Sequence, residues 1–192
     1  MISRTSGRIS TSTSRRSPRT APPPDGLLIL GIDPGSTATG YGLIQSRAGR
    51  LRAVDFGTIT PPRGLPFHDR LPHLFTALES LVTRTRPDQA AIEDLFHARN
   101  SQVALKLGHV RGIVLLAMLR GGLPIHQYAP RLVKKTVAGY GGAEKEQLRR
   151  MVRLLLGVQS GSMALDASDA LAVAICHAHS MPRARLGQPA LA

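Results

Sequence analysis

The sequence predicts an α/β fold: a five-stranded mixed sheet, three antiparallel strands and then parallel additions, with helices on both faces. Three observations point there. Three short apolar runs follow one another between Leu27 and Ile59, separated only by turns. Two further runs, Gln89 to Ile92 and Leu123 to Tyr128, alternate with segments of helical period. The chain has 192 residues, enough for one core and a little more. A meander followed by strand–helix units puts helices over the sheet.

The elements follow in order. Leu27 to Ile32 is apolar and bounded by turn residues, as a buried strand is. Gly40 to Gln45 and Leu51 to Ile59 are the next two strands, joined by a turn at Ala48-Gly49-Arg50. Leu71, Leu74, Phe75, Leu78, Leu81 and Val82 recur at helical spacing within 67–84. Pro87-Asp88 breaks that helix, and Gln89 to Ile92 is the fourth strand. A long helix spans about Asn100 to Leu119, with Val103, Leu107, Val110, Val114 and Ala117 as one stripe and Gly121-Gly122 past its end. After the fifth strand, Pro130 opens a short helix that ends at Gly139. Ala143 to Leu156 and Leu165 to His179 are the last two helices.

Residues 1–26 read as a disordered basic extension, 27–180 as the folded domain and 181–192 as a flexible tail. The extension is rich in Ser, Thr, Arg and Pro, with Ile2 and Ile9 as its large aliphatic side chains. Such a segment buries too little surface to offset its ordering entropy. Its Arg- and Ser-rich, acid-poor composition is also that of an organelle transit peptide, a rival reading.

Lys and Arg number 25 against 12 Asp and Glu, a formal net charge of +13. The first 25 residues carry +4 of it, so the folded part is itself basic. An excess of this size points to a polyanionic partner, nucleic acid first. The single cysteine, Cys176, excludes an intramolecular disulfide framework. The apolar stretch Gly112 to Leu119 lies between Arg111 and Arg120 and falls short of a membrane span. A soluble cytoplasmic protein, without a membrane partner, is the expectation.

In so basic a chain the acid positions are informative. Asp33 ends the first strand and Glu93 the fourth. Asp166 and Asp169 lie three apart near the start of the last helix, on one face. With strands one and four adjacent, all four carboxylates converge at one sheet edge. Convergent carboxylates resist ionising together, and a divalent cation removes the conflict. Oxygen ligands in this number suit Mg²⁺ or Mn²⁺, with room for two ions. Two such ions about 3.5–4 Å apart activate water and stabilise the leaving oxygen in phosphodiester cleavage. Taken singly, each acid also has a plainer role, as a turn former or, for Asp166, a helix cap.

Four segments carry a resemblance: ILGIDPGSTATGYGLI, AIEDLFHARNSQVALKLGHVRG, YAPRLVKKTVAGYGGAEKEQLRRMV and ALDASDALAVAICHAH. In their order and spacing they resemble the RuvC family of bacterial Holliday-junction resolvases, over about residues 27 to 180. The resemblance implies an RNase H-like fold and a homodimer. It implies Mg²⁺-dependent nicking of two strands of like polarity across a four-way DNA junction, in recombination and repair. The ends left would be 5′-phosphate and 3′-hydroxyl. By the match, Asp33, Glu93, Asp166 and Asp169 are the metal ligands and catalytic residues, though some members carry histidine at the position of Asp166. Two Mg²⁺ per site are expected, with Mn²⁺ as substitute. The extension before the first strand departs from the family.

Lys134 and Lys145 match family lysines near the scissile phosphate, where either neutralises charge growing in the transition state. Phe96 matches an aromatic that meets unpaired bases at the junction centre; its other reading is a core residue capping the sheet. Arg99, Lys106, Arg111, Arg131, Lys135, Arg149 and Arg150 are candidate phosphate contacts, which position DNA without reading sequence. Tyr140 lies among glycines in a loop, to touch DNA or to close the turn. The helix 100–119 is a candidate dimer face and equally a core helix. The RuvAB branch-migration complex is the partner the resemblance implies. Cys176-His177-x-His179 lacks the second half of a zinc site and reads as a buried thiol with surface imidazoles.

Three rival functions come from the same residues, one of them a catalytically dead junction-binding module, against which the intact acidic set argues. An actin-like nucleotide-binding protein has a similar strand–Asp–Gly/Thr loop but needs two such domains. Another RNase H-like nuclease, acting on RNA–DNA hybrids, shares the charge and carboxylates; the LFHARN and YAPRLVKK segments separate it.

Overall fold

β1 (Leu27–Asp33) is the axis of the molecule. On one side it pairs antiparallel with β2 (Thr39–Arg47), which pairs antiparallel with β3 (Arg50–Ile59). On the other it pairs parallel with β4 (Gln89–Glu93), which pairs parallel with β5 (Ile125–Tyr128). The sheet order is β3-β2-β1-β4-β5. The computed structural model describes residues 26–94, 100–159 and 163–181. The extension, the C-terminal tail, Phe96 and Arg99 therefore lie outside the described residues.

Helices cover both faces. α1 (Phe67–Thr85) and α2 (Ser101–Arg120) share one core with Leu30, Ile32, Leu43 and Ile92. α3 (Pro130–Ala138), α4 (Lys145–Leu156) and α5 (Leu165–Ser180) cover the other, over Ile29, Ile44 and Ala91. Strand alternation divides the two cores: odd and even residues of β1 and β2 serve opposite faces. Asp88, in the break after α1, ties the centre together. Its carboxylate accepts from the Leu28 N–H at 2.9 Å and its own N–H donates to Leu28 O at 2.8 Å.

The element limits shift for local reasons. β5 starts at Ile125 rather than Leu123, because the Leu123 N–H is spent on Met118 O at the end of α2 and Pro124 has no N–H. α4 starts at Lys145 rather than Ala143, with Glu144 extended before it. Asn100 lies outside α2 and caps it, its Oδ1 accepting from the Gln102 N–H at 2.8 Å. The β2–β3 turn has two residues, Ala48 and Gly49, at φ 47° and 79°. Positive φ at both is the twist that matches antiparallel strands. In β3, Val54 is the extra residue of a bulge, so Leu51 and Ala53 face one core and, beyond it, Phe56 faces the same one.

α2 is the longest helix among the described residues. It has 20 residues, and an 18-residue stretch within it reaches a mean hydropathy of 1.4, long and apolar enough to cross a membrane by length and composition. One side of its C-terminal half packs on protein, with Val110, Val114, Ala117 and Met118 buried against α1 and the sheet.

Candidate active site

Chain direction brings the four carboxylates to one edge. β1 and β4 run parallel with Ile32 beside Ile92, so Asp33 and Glu93 leave adjacent strands together. α5 lies over β1 and β2 with its first turn at the same end. Asp166 and Asp169 occupy that turn and the next. Asp166 is the second residue of the helix, not its cap, which is Ala164.

Three strand glycines permit this approach. A Cβ on Gly31 would stand 2.1 Å from the Ala170 carbonyl oxygen, and one on Gly40 would stand 2.0 Å from that of Asp166. On Gly42 it would meet the Leu171 side chain at 2.6 Å. Gly31 pairs with Gly42, and Gly40 with Asp33. The helix rests on bare backbone beside Asp33. Glycine inside a strand is the signal of such an approach, and it was readable in the sequence.

The carboxylates act on one another. Burial, then the charges of Asp169 and Asp166, push Asp33 up to about 6. Burial, then the charges of Asp33 and Asp169, push Glu93 up to about 8. Burial raises Asp169 as well, against the pull of Lys145 and Lys134. Lys145 Nζ donates to Asp169 Oδ2 at 3.4 Å, and that carboxylate raises the lysine. Among the described residues no three His, Cys, Asp or Glu side chains stand together as a ready-made ligand set. The chemistry still fits a hard divalent cation: buried oxygen donors of one sign, which such an ion relieves.

The basic candidates separate. Lys134 is half-buried and its charge reaches Asp169, whereas Lys135 and Arg131 are exposed. Lys106 lies over the Phe67 ring, 5.7 Å from its centroid. Arg149 donates to Glu146 and to Met163 O. Arg111 is not a free phosphate contact. Its side chain is 14% exposed, and it donates to the Glu93 carbonyl at 2.9 Å, pairs with Asp94 at 3.1 Å and bonds Gln127. It fixes the backbone of a catalytic candidate from behind. Tyr140 donates to Gln147.

His177 is also corrected. It is buried at 1% exposure, not at the surface, whereas His179 is exposed. Its Nε2 is 2.6 Å from Gln89 Oε1, and its Nδ1 is 2.6 Å from the Tyr128 hydroxyl. An amide oxygen only accepts, so Nε2 carries the proton and Nδ1 accepts from Tyr128. Cys176 is buried with its thiol toward Thr136.

The family model for crossover junction endodeoxyribonuclease RuvC matches residues 29–177. The chain belongs to the RuvC family. A crossover junction endodeoxyribonuclease RuvC from Maricaulis maris is 50% identical over 162 residues, covering 84% of this chain and 96% of the relative. A RuvC from Chloroflexus aurantiacus is 48% identical over 156 residues, covering 81% and 95%. Thermus thermophilus RuvC in complex with a Holliday junction superposes with a TM-score of 0.75 at 32% identity, over 84% of this chain and 96% of that one. The yeast mitochondrial Holliday junction resolvase Ydc2 shares the fold at a TM-score of 0.60 and 15% identity. The segments that carried the RuvC resemblance are β1–β2, β4 with α2, the end of β5 with α3–α4, and α5. Four of the five strands, and every helix but α1, overlap them; β3 does not.

Proposed function

We propose that the chain is a crossover-junction endodeoxyribonuclease that resolves four-way DNA junctions by paired nicks leaving 5′-phosphate and 3′-hydroxyl ends. The observation that carries this reading is the mutual charge of Asp33, Glu93, Asp166 and Asp169 at one sheet edge of a RuvC-family chain. These four carboxylates would hold two Mg²⁺, replaceable by Mn²⁺. When bound, such a pair supplies an activated water and stabilises the departing 3′ oxygen.

The chain's own groups complete the chemistry. Lys145 and Lys134 bring positive charge to the edge where a phosphate gains negative charge. Arg111 holds Glu93 in register. Phe96, three residues past Glu93, is the proposed ring for unpaired bases. Arg99 and Arg131 are proposed on phosphates.

A homodimer supplies two such sites. The buried stripe of α2 is core, but the opposite side is open: Leu105 (64% exposed), Gly108, Gly112, Leu116 (48%) and Leu119 return at near-whole turns. Nothing would touch a Cβ at either glycine. A second α2 fits that stripe closely. RuvAB is the proposed source of the junction, in the bacterial cytoplasm.

The test is nicking of a mobile four-way junction with Mg²⁺ and with EDTA, beside a linear duplex and an RNA–DNA hybrid. Paired, ligatable, metal-dependent nicks on the junction are expected. Asp33→Asn should abolish them and keep junction binding. Cleavage of the hybrid alone would move the function to another RNase H-like nuclease.

A further inference from the structure

We propose that the tip of the β2–β3 hairpin is a second duplex-DNA contact, with Arg47, Arg50 and Arg52 seated on the sugar–phosphate backbone of a junction arm. It rests on the junction reading above. Arg47 and Arg50 stand directly opposite each other across the two-residue turn, and Arg52 follows opposite Gln45. Strand alternation puts the three guanidinium groups on one face. It is the face away from Ile44, Leu51 and Ala53, which belong to the α5 core.

All three arginines are exposed. Among the described residues none of them forms an ion pair, and the nearby carboxylates are engaged. Asp55 is held by Arg84 at 3.0 Å, and Asp88 by the Leu28 N–H. Like charges placed directly opposite weaken a strand pair, so pairing is not what Arg47 and Arg50 serve. Protection of an edge strand needs a charge on β3, not a second one facing it from β2. An exposed guanidinium cluster fits phosphates, which its planar donors engage in pairs.

The position suits an arm rather than the junction centre. From Asp33↔Gly40 to Leu27↔Ser46 the β1–β2 ladder runs six residues, about 20 Å at strand rise. Duplex DNA advances about 3.4 Å per base pair, so an arm leaving the carboxylate edge along the sheet meets the tip roughly six base pairs on.

The experiment measures binding of an immobile four-way junction in EDTA as salt is raised from 50 to 200 mM. It compares the wild type with Arg47→Gln/Arg50→Gln/Arg52→Gln. A second junction carries neutral methylphosphonates around the sixth base pair of each arm. Each lost phosphate contact lowers the slope of log K against log salt by about 0.9, so the triple variant should lose about 2.7 per engaged tip on the natural junction. On the neutralised junction wild type and variant should coincide. Single-turnover nicking at saturating protein, and the melting temperature, should be unchanged. Arg50→Gln alone should give about a third of the slope change. An unchanged slope, or an equal change on both junctions, overturns the proposal and leaves the arginines as edge protection. Failure of the wild type to bind the junction at all overturns the junction reading, and this inference with it.

Discussion

Asp33 and Glu93 bind protons more tightly in the folded chain than in the unfolded one, and this sets the sign of a pH effect. Their folded values are about 6 and about 8, raised chiefly by burial. Between pH 4 and 8 the native state therefore holds more protons at these groups, and their ionisation lowers stability as pH rises. His177 works the other way. Burial, then the charge of His126, lower it to about 3, so its contribution is full above about 6.5 and is lost as pH falls toward 3. Above pH 6.5 only the carboxyls remain in play. The metal-free protein should lose about 2 kcal/mol between pH 6.5 and 8.5, seen as a lower urea midpoint. Asp33→Asn should shrink that loss, and Mg²⁺ should remove it. A midpoint that stays flat through this range would mean that both carboxyls are solvated and titrate below it. The same residues show where sequence reading stops. The strand ends named Asp33 and Glu93, but the burial of His177 depends on Gln89 and Tyr128, 88 and 49 positions away. Arg111 looked like a phosphate contact because charge alone does not show that a side chain turns inward to a carbonyl.

At the scale of elements, the seat of α5 on β1 and β2 decides whether the site exists. Gly40→Ala puts a methyl group 2.0 Å from the Asp166 carbonyl, and neither backbone can yield without moving the other. The expected cost is about 1–3 kcal/mol of stability with loss of nicking, read by thermal melting and by the junction assay. Full activity in Gly40→Ala would show that the carboxylate edge tolerates a displaced helix. The β2–β3 turn offers the opposite change. Ala48 sits at φ 47°, where a Cβ is strained and asparagine or glycine is at ease. Ala48→Asn should raise stability by about 1 kcal/mol, measured as a higher melting temperature, with nicking unaltered. The order of strands and helices was legible because turns at Gly49, Pro87 and Gly121 punctuate it and because the apolar period changes between them. The ends of β5 and α4 were not. They depend on where the Leu123 N–H is spent and on the extended backbone of Glu144, neither of which leaves a periodic trace.

For the molecule as a whole, α2 has two faces of different fate. Val110, Val114 and Ala117 were legible as an apolar stripe and are core; the open side with Leu105, Gly112 and Leu116 is legible only once the buried side is known. Leu105→Glu with Leu116→Glu should turn a dimer into a monomer in sedimentation equilibrium at micromolar concentration, and convert paired cuts into independent single nicks. A dimer that survives both changes would place the interface elsewhere. The two halves of the core are also unequal in time. α5 is the last helix of the described chain, yet it fills the middle of its layer, against β1, β2, β3, β4, α3 and α4. During synthesis the ribosome therefore delivers β1 to α4 before the piece that closes them. Until then Ile29, Ile44 and Val152 lack their cover, and two of the four carboxylates do not yet exist. By the proposed site, a nascent or truncated chain without α5 would hold only two of the four carboxylates, over an apolar layer still open to aggregation. On this reading the capacity to cut would arrive in one step, with the first two turns of α5.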